Sequence, residues 1–570
     1  MRWIRGGECW LLAPLLLAVG VACPALPDGP RFAGSGHRDP VRGGTLMLWE
    51  EARVRMLDPH VAFDEISNVL VQMLHDGLYG YDRQMRLVPR IAAALPALSE
   101  DGRTLTILLR TDARFHNGRE VTAEDVVWSL ERMMHPSLQS PGASYFREIE
   151  GYEAYRRGES THVGGLAARG RHTLEVRLGR ADQSFVHMLA MHFASPLPRE
   201  EVERPGADMR RRPVGTGPYR FVSWDPGVRI VVERNPRYHQ PGRPYLDRIV
   251  FEEGLKKDTA FLRFRNGDVD VVPRMTPADR MLIREKKWQP YSAIAPRADI
   301  YALSMNVELA PFDNVHVRRA VAFAIDRERW CRARSWGIRP AGQIVPPGVP
   351  GHDPALPNLQ RFDLTEAKRE MALAGYADGW PEPVTLWTSD SASARVYGAL
   401  AQADLARIGI DLQLKQVSFP VYLEQTGKPK TAQMLTGGWT MTYPDASDFL
   451  AQVSGATRTE HDSLNRSFYA DPWLDALLDR ARVERDEEKR TAMYREANDF
   501  VAREAPWAFF ANAQVPQAWQ PYVRGYAPHP VYWMPVDDVW LDLPRKRIAA
   551  LLGPLARDAR FASLLPWGAR

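Results

Sequence analysis

Residues 87–126 read LVPRIAAALPALSEDGRTLTILLRTDARFHNGREVTAEDV, and the rest of the chain is best read outward from them. Ser99-Glu100-Asp101-Gly102 is a turn, because short polar side chains and glycine favour a chain reversal. Thr104 to Arg110 (TLTILLR) then alternates like a half-buried strand. Thr122 stands before a helical pattern with Asp125 three residues on, the spacing of a capping box. Val126, Leu130 and Met133 share one face of that helix, and Pro136 stops it.

On the N-terminal side, Gly43-Gly44 opens a strand from Thr45 to Trp49, and Val69, Leu70 and Met73 give Asn68–Gly77 a helical spacing. On the C-terminal side, residues 172–178 alternate as a strand. Pro213–Tyr219 (PVGTGPY) is a tight turn that feeds a strand from Arg220 to Trp224, and Arg229–Glu233 pairs with it. The second half is more helical. Asp313 is placed to cap a helix with Val317, Val321, Ala324 and Ile325 on one face. Asp363-Leu364-Thr365-Glu366 is a capping box for a helix ending before Gly375. Tyr397, Leu400, Ala401, Leu405 and Ile408 line another helix ending at Gly409, and Asp411–Val417 follows as a strand. Asp471-Pro472 opens a long helical stretch to Glu504. Strands alternating with helices through 250–510 predict an α/β lobe. No internal repeat is visible.

The chain has 570 residues, 45% hydrophobic and 25% charged. That is ordinary globular composition, long enough for several domains or two large lobes. From Arg545 onward six basic residues face one acid, so most of the net charge of +4 sits in the tail. The nearly neutral body argues against nucleic-acid binding, which needs a concentrated basic face. Three cysteines, Cys9, Cys23 and Cys331, are too few for a disulfide scaffold or a four-cysteine metal site.

Arg2 and Arg5 precede the apolar run Trp10–Ala22, which is too short to span a bilayer and is interrupted by Pro14. A basic start and a short apolar core describe an export signal over residues 1–22. Gly20-Val21-Ala22-Cys23 resembles a bacterial lipoprotein processing site, with Cys23 taking the lipid. Residues 23–42 are rich in Pro and Gly and read as a tether. An exported chain is therefore expected, periplasmic or anchored on the extracytoplasmic face of the membrane.

Catalytic signatures are missing. The sequence contains no Gly-x-Ser-x-Gly elbow, His-Glu-x-x-His pair, phosphate-cradling loop or Gly-x-Gly-x-x-Gly fingerprint. His187 and His192 are five apart, the wrong spacing for two ligands on one helical face. Glu252-Glu253 and Asp537-Asp538 are adjacent, so on a strand they would point to opposite faces. Neither an enzyme nor a metal or cofactor protein is expected.

The ordered series is more specific. It runs Leu87-Val88-Pro89, Ser99–Gly102, Leu109-Arg110, Phe115-His116-Asn117-Gly118 and Thr122–Val126. It continues through Pro213–Tyr219, Arg234-Asn235-Pro236, Asn266–Asp270, Arg318-Arg319-Ala320 and Ala324–Arg327. Gly375-Tyr376, Ile408-Gly409-Ile410, Gly438-Trp439 and Tyr443-Pro444-Asp445 close it. This series resembles the extracytoplasmic solute-binding proteins of the oligopeptide/dipeptide/nickel type, the receptors that feed ABC importers, over roughly residues 41–543. The resemblance implies an α/β, two-lobed periplasmic-binding-protein fold with a hinge and an extra domain inserted in the first lobe. The expected divisions are lobe I at 43–68, 190–297 and 512–544, the inserted domain at 69–189, lobe II at 298–511 and a basic tail at 545–570. Ligand would lie between lobes that close over it. Gly215 and Gly217 are expected to supply unusual backbone angles. Asp101, Asp125, Asp268 and Asp326 fall in turns and caps, which favours a structural role.

The same resemblance points to ligand contacts. In peptide-binding relatives an aspartate shortly after the Gly-Trp pair holds the peptide's amino terminus. Here Thr442 takes that place, and a hydroxyl cannot make the charge-assisted bond an ammonium prefers. Asp445 is the acid in reserve. The arginine that dipeptide receptors use for the carboxylate is not visible in Trp387-Thr388-Ser389-Asp390. Trp439, Tyr443, Tyr145, Phe63, Asp64 and Phe510 complete the candidate set, the aromatic faces suiting an amphipathic ligand. The implied function is a non-enzymatic receptor for a peptide-like or other small polar-amphipathic ligand, with permease subunits as partners, a lipid anchor if Cys23 is acylated, and a monomeric state. A non-peptide solute (an opine, an oligosaccharide or a metal chelate), a secreted hydrolase, and a receptor that signals without importing remain open. In the tail, Ile548, Leu551, Leu552 and Leu555 allow a short basic amphipathic helix broken at Gly553-Pro554, although a loosely docked tail is the simpler expectation.

Overall fold

The computed structural model describes residues 39–547, except 277–278, 280, 335–336, 357–358 and 461–462. The expected export signal, Cys23, most of the tether and the tail from 548 onward lie outside the described residues. Among the described residues, no helix is long and apolar enough to cross a membrane, and no cluster of His, Cys, Asp or Glu could hold a metal ion.

Lobe I is built on a four-stranded sheet in the order Thr45–Glu50, Arg248–Glu253, Arg229–Arg234, Tyr219–Asp225. The first pair is parallel and the others antiparallel. Helix Glu65–Leu74 buries Val69, Leu70, Met73 and Leu74 against Leu46, Ile230 and Phe251 of that sheet. The apolar face of this helix, which crosses the expected boundary at 69, packs on the lobe I sheet. The core of the inserted domain instead runs from Leu78 to Ala194. Its antiparallel sheet is Ala97–Leu98, Thr104–Leu108, Thr173–Arg177, Leu166–Ala168, covered by helix Ala123–Met134. That helix starts on the capping box read from sequence: Thr122 accepts from the Asp125 N–H and Asp125 from the Thr122 N–H.

Gly215 and Gly217, expected to supply unusual backbone angles, are not among the positive-φ glycines. They permit close approach instead. A Cβ at Gly215 would lie 2.1 Å from the Leu74 carbonyl, and one at Gly217 2.5 Å from that of Met73.

Lobe II is built around strand Trp507–Trp519. Its first half pairs with Asp299–Met305, which pairs with Met434–Thr440, followed by Val384–Ser389 and Leu412–Val417. Its second half pairs with Ser292–Pro296 and Val271–Val272 beside lobe I. The chain thus passes between lobes twice side by side, at Arg297-Ala298 and at Ala511–Gln514. At this crossing Glu65 accepts from Arg274 at 2.9 Å and also from Arg297. Both guanidiniums lie over the Trp533 ring, 4.5 and 5.3 Å from its centroid.

Two local expectations need correction. Asn314, not Asp313, caps helix Val315–Ala324, since its carboxamide oxygen reaches the His316 N–H at 2.9 Å. The long stretch after Pro472 is two helices, Pro472–Val483 and Glu487–Glu504, and Asp486 caps the second by accepting from the Glu488 and Lys489 N–H groups.

Candidate interlobe binding site

Strand Met434–Thr440 brings the Gly-Trp segment to the edge of lobe II. Gly438 has φ of 140°, and a Cβ there would lie 1.8 Å from the Ile300 carbonyl, so only glycine fits. Trp439 is half-buried against the lobe II core that contains Ala298, Phe449 and Leu450. The chain then folds back on itself. The Thr442 N–H donates to Asp448 Oδ2 at 2.6 Å, and Asp445 caps helix Ala446–Leu450 by accepting from the Ser447 N–H at 2.9 Å.

The two acids have opposite surroundings. Asp445 is 1% exposed and has an Arg490 guanidinium 3.5 Å away. Burial opposes its charge, but His187, Arg490 and the Ser447 donors outweigh it and hold the pKa below the usual carboxylate range. Its charge is already matched within the chain. Asp448 is also buried, and burial pushes its pKa up to about 7 despite the Thr442 N–H that it accepts from and the nearby Trp439 and Tyr443. None of these neighbours is a cation, and Asp448 has no ion pair among the described residues. Sequence reading missed Asp448. Only the reverse turn that places it behind Thr442 distinguishes it from an ordinary first-turn helix acid.

The inserted domain faces this turn. Tyr145, on the 3₁₀ turn Ala143–Phe146, faces Thr442 and the Asp448 carboxylate; its phenol is raised by burial first and by that charge second. Beside it, Tyr81 stacks on His187 at 5.8 Å and His187 on Tyr443 at 5.9 Å. The Tyr81 hydroxyl and His187 Nδ1 are 3.0 Å apart. Tyr443 packs on the inserted-domain core although it belongs to lobe II.

A second contact closes the far side. The Arg485 guanidinium donates to the Ser99 and Glu100 carbonyls, both at 2.6 Å, and the Gln183 N–H donates to the Arg482 carbonyl at 2.8 Å. Arg485→Ala removes both side-chain bonds across this junction. Its expected result is a larger ligand-free radius of gyration by small-angle scattering. An unchanged radius would mean that the aromatic stack and the remaining contacts at residues 180–183 hold the bodies together without Arg485.

The structure brings Tyr145, Thr442, Tyr443 and Trp439 together and sets Asp445 behind them. It does not bring the others to the same place. Phe63 is 62% exposed and stacks on Phe193 at 6.5 Å. Asp64 caps helix Glu65–Leu74 through the Ser67 N–H at 2.8 Å. Phe510 is 1% exposed, with Trp330 at 4.7 Å and Tyr397 at 4.8 Å. These neighbours place it in the core of lobe II. The structural reading of three acids agrees with their bonds: Asp101 holds the Ser99–Arg103 turn, Asp125 completes a capping box, and Asp326 caps Arg327–Ala333.

The sequence pattern described as bacterial extracellular solute-binding proteins, family 5 middle, matches residues 86–461. The chain belongs to this family. It is therefore a two-lobed solute-binding protein of the kind that serves ABC importers, and not an enzyme. It is 27% identical over 457 residues to the glutathione-binding protein GsiB of Salmonella choleraesuis, covering 79% of this chain and 85% of that one. Among solved structures, clavulanic acid biosynthesis oligopeptide binding protein 2 is 27% identical with a TM-score of 0.79, covering 88% of this chain and 96% of the other. DppA of Helicobacter pylori, solved with the peptide STSA, is 25% identical with a TM-score of 0.69, covering 88% and 99%. In this family-5 protein the sheet order and the paired crossing strands are the framework that holds Thr442 opposite Tyr145.

Proposed function

We propose that this protein captures a peptide-like or other small polar-amphipathic ligand between its inserted domain and lobe II and hands it to a membrane permease. We further propose that it is held at the extracytoplasmic face by an acyl chain on Cys23. The observation that carries the ligand reading is the buried Asp448 carboxylate, cation-free among the described residues, beside Thr442 and Tyr145. A buried charge is normally paired, because leaving it alone costs several kcal/mol. A ligand ammonium is a partner of the right sign, and peptide- and glutathione-binding relatives support that chemistry. Thr442 favours a second reading, a ligand with no free amine, for which Asp448 acts protonated as a donor.

A thermal-shift screen of di- and tripeptides and glutathione against their N-acetylated forms separates these readings. A ligand at 100 times its Kd adds about 2.7 kcal/mol of stability. The expected result is a preference for the free amine that Asp448→Asn abolishes and Asp445→Asn, in a correctly folded variant, does not. Equal responses to free and acetylated forms in the wild type would leave the amine-free reading. A preference that survives Asp448→Asn would place the anchor elsewhere. Cys23→Ser tests the tether separately and is expected to move the protein from the membrane fraction to the soluble exported pool.

A further inference from the structure

A cavity of about 290 Å³ lies in lobe II, near the crossing strands. Its floor is the short strand Ile338–Pro340, which pairs with Ala511–Ala513. Ile338 is buried in the lobe II core, so alternation along the strand turns Arg339 to the opposite face, where it lines the cavity. Asn512, its cross-strand partner, lines it too and donates Nδ2 to the Asp299 carbonyl at 2.9 Å. The opposite wall is the loop carrying Pro347, His352, Pro354 and Leu356, together with Leu359. Gln343 fixes that loop, since its amide is spent on both backbone groups of Asp353, at 2.9 and 3.2 Å. His352 donates Nδ1–H to the Val345 carbonyl at 2.8 Å, which leaves Nε2 uncommitted.

The charge balance of this cavity is one-sided. No Asp or Glu is among its described lining residues. The Arg339 side chain is half-buried and has no hydrogen bond or ion pair with any described residue. Burial alone shifts it, downward. Some half-buried arginines of this protein are matched by a carboxylate, as Arg132 is by Asp58 and Arg90 by Asp537. A half-buried guanidinium facing a space near the size of small-molecule sites, with prolines and leucines on one wall and no carboxylate among the described lining residues, has the chemistry of an anion receptor.

We propose that this cavity binds a small organic anion, a carboxylate on a compact apolar body, with Arg339 taking the carboxylate and the proline and leucine wall taking the body. None of its lining residues belongs to the Tyr145–Thr442–Asp448 turn, so the inference stands apart from the reading of the interlobe site.

Benzoate is a suitable probe, with uncharged benzamide and inorganic phosphate as controls, in calorimetric titration of the whole protein. Saturable benzoate binding is expected, at least tenfold tighter than benzamide or phosphate. Arg339→Gln should weaken it at least tenfold, Arg339→Lys less, and Asp448→Asn not at all. In wild-type protein, benzoate should also shift the Arg339 Nε–H resonance, a readout that needs no variant. The proposal is overturned by no saturable benzoate binding, by undiminished binding to folded Arg339→Gln, or by an unmoved Arg339 resonance. Loss of benzoate binding in Asp448→Asn would assign the anion to the interlobe site and equally overturn it. Phosphate binding as tightly as benzoate would refute the apolar part of the ligand class.

Discussion

Replacing Arg132 by alanine is expected to cost about 3–5 kcal/mol and to loosen the inserted domain from lobe I. Arg132 projects from helix Ala123–Met134 and meets Asp58 through two bonds, Nη1 to Oδ1 at 3.2 Å and Nη2 to Oδ2 at 2.7 Å. Nη1 also donates to His60 Nδ1 at 2.9 Å, and the His60 Nε2–H donates to the Ser195 carbonyl at 2.9 Å. Asp58 is 1% exposed and His60 0%, so truncating Arg132 strands a buried carboxylate with no other cation bonded to it. Protonation states agree with the geometry. Burial opposes the charge of Asp58, yet Arg132 holds its pKa below the usual range. Burial, then Arg132, lowers His60 to about 4, which keeps the ring neutral and able to accept. Both folded pKa values lie below the unfolded ones, so both contributions are present at neutral pH. The His60 part fades as pH falls from about 6.5 to 4, and the Asp58 part is lost below its ordinary carboxylate pKa near 4. Hydrogen exchange is the direct measurement. Arg132→Ala should lose protection throughout 123–134 while the lobe II helices keep theirs. The double variant Asp58→Leu/Arg132→Met should recover much of the loss, because no buried charge then remains unpaired. A cost under about 1 kcal/mol for Arg132→Ala would show that the clamp is not what docks the domain.

The second large effect concerns pH and Asp448. Its folded pKa, raised from 3.8 to about 7, means that the ligand-free fold binds this proton more tightly than the unfolded chain does. The associated stability is present below about pH 4 and is lost as pH rises to 7, a change of as much as about 4 kcal/mol. Asp448→Asn does not titrate, so the difference in unfolding free energy between wild type and variant should change by several kcal/mol between pH 4 and pH 8. Asp445 has the opposite shift and is unaltered in that comparison. An ammonium ligand that pairs with the carboxylate should stabilise the wild type progressively more as pH rises through 7. Parallel pH profiles for wild type and variant would mean that water or a local rearrangement already solvates Asp448, and would remove the charge argument for an amine ligand.

The local features were legible because their causes lie within a few residues. The Thr122–Asp125 box, the Asp363 and Asp471 caps and the Thr104–Leu108 alternation are set by neighbours three or four positions away, or by a period of two. The family resemblance was legible for a related reason, since its motifs are mostly turns and caps whose residue types are locally constrained. The sequence reading puts one cap at Asp313, a residue early; only the position of the first free N–H shows that Asn314 holds it.

Tertiary structure decided the rest. Helix Glu65–Leu74 goes to lobe I because its apolar face meets strands far along the chain, not because of anything in its own pattern. Gly215 and Gly217 look like turn glycines, but the end of another helix makes them necessary. Phe510 and Trp439 are aromatic residues of similar promise in sequence; one sits deep in the lobe II core and the other near the interlobe turn. Asp445 and Asp448 are three residues apart, yet Arg490 pairs with the first and, among the described residues, no cation pairs with the second. The sequence by itself determined local backbone geometry, capping and family. Which charges are paired, which faces are buried and which residues meet between lobes came only from the tertiary structure, because burial and ion pairing depend on neighbours that chain order does not reveal.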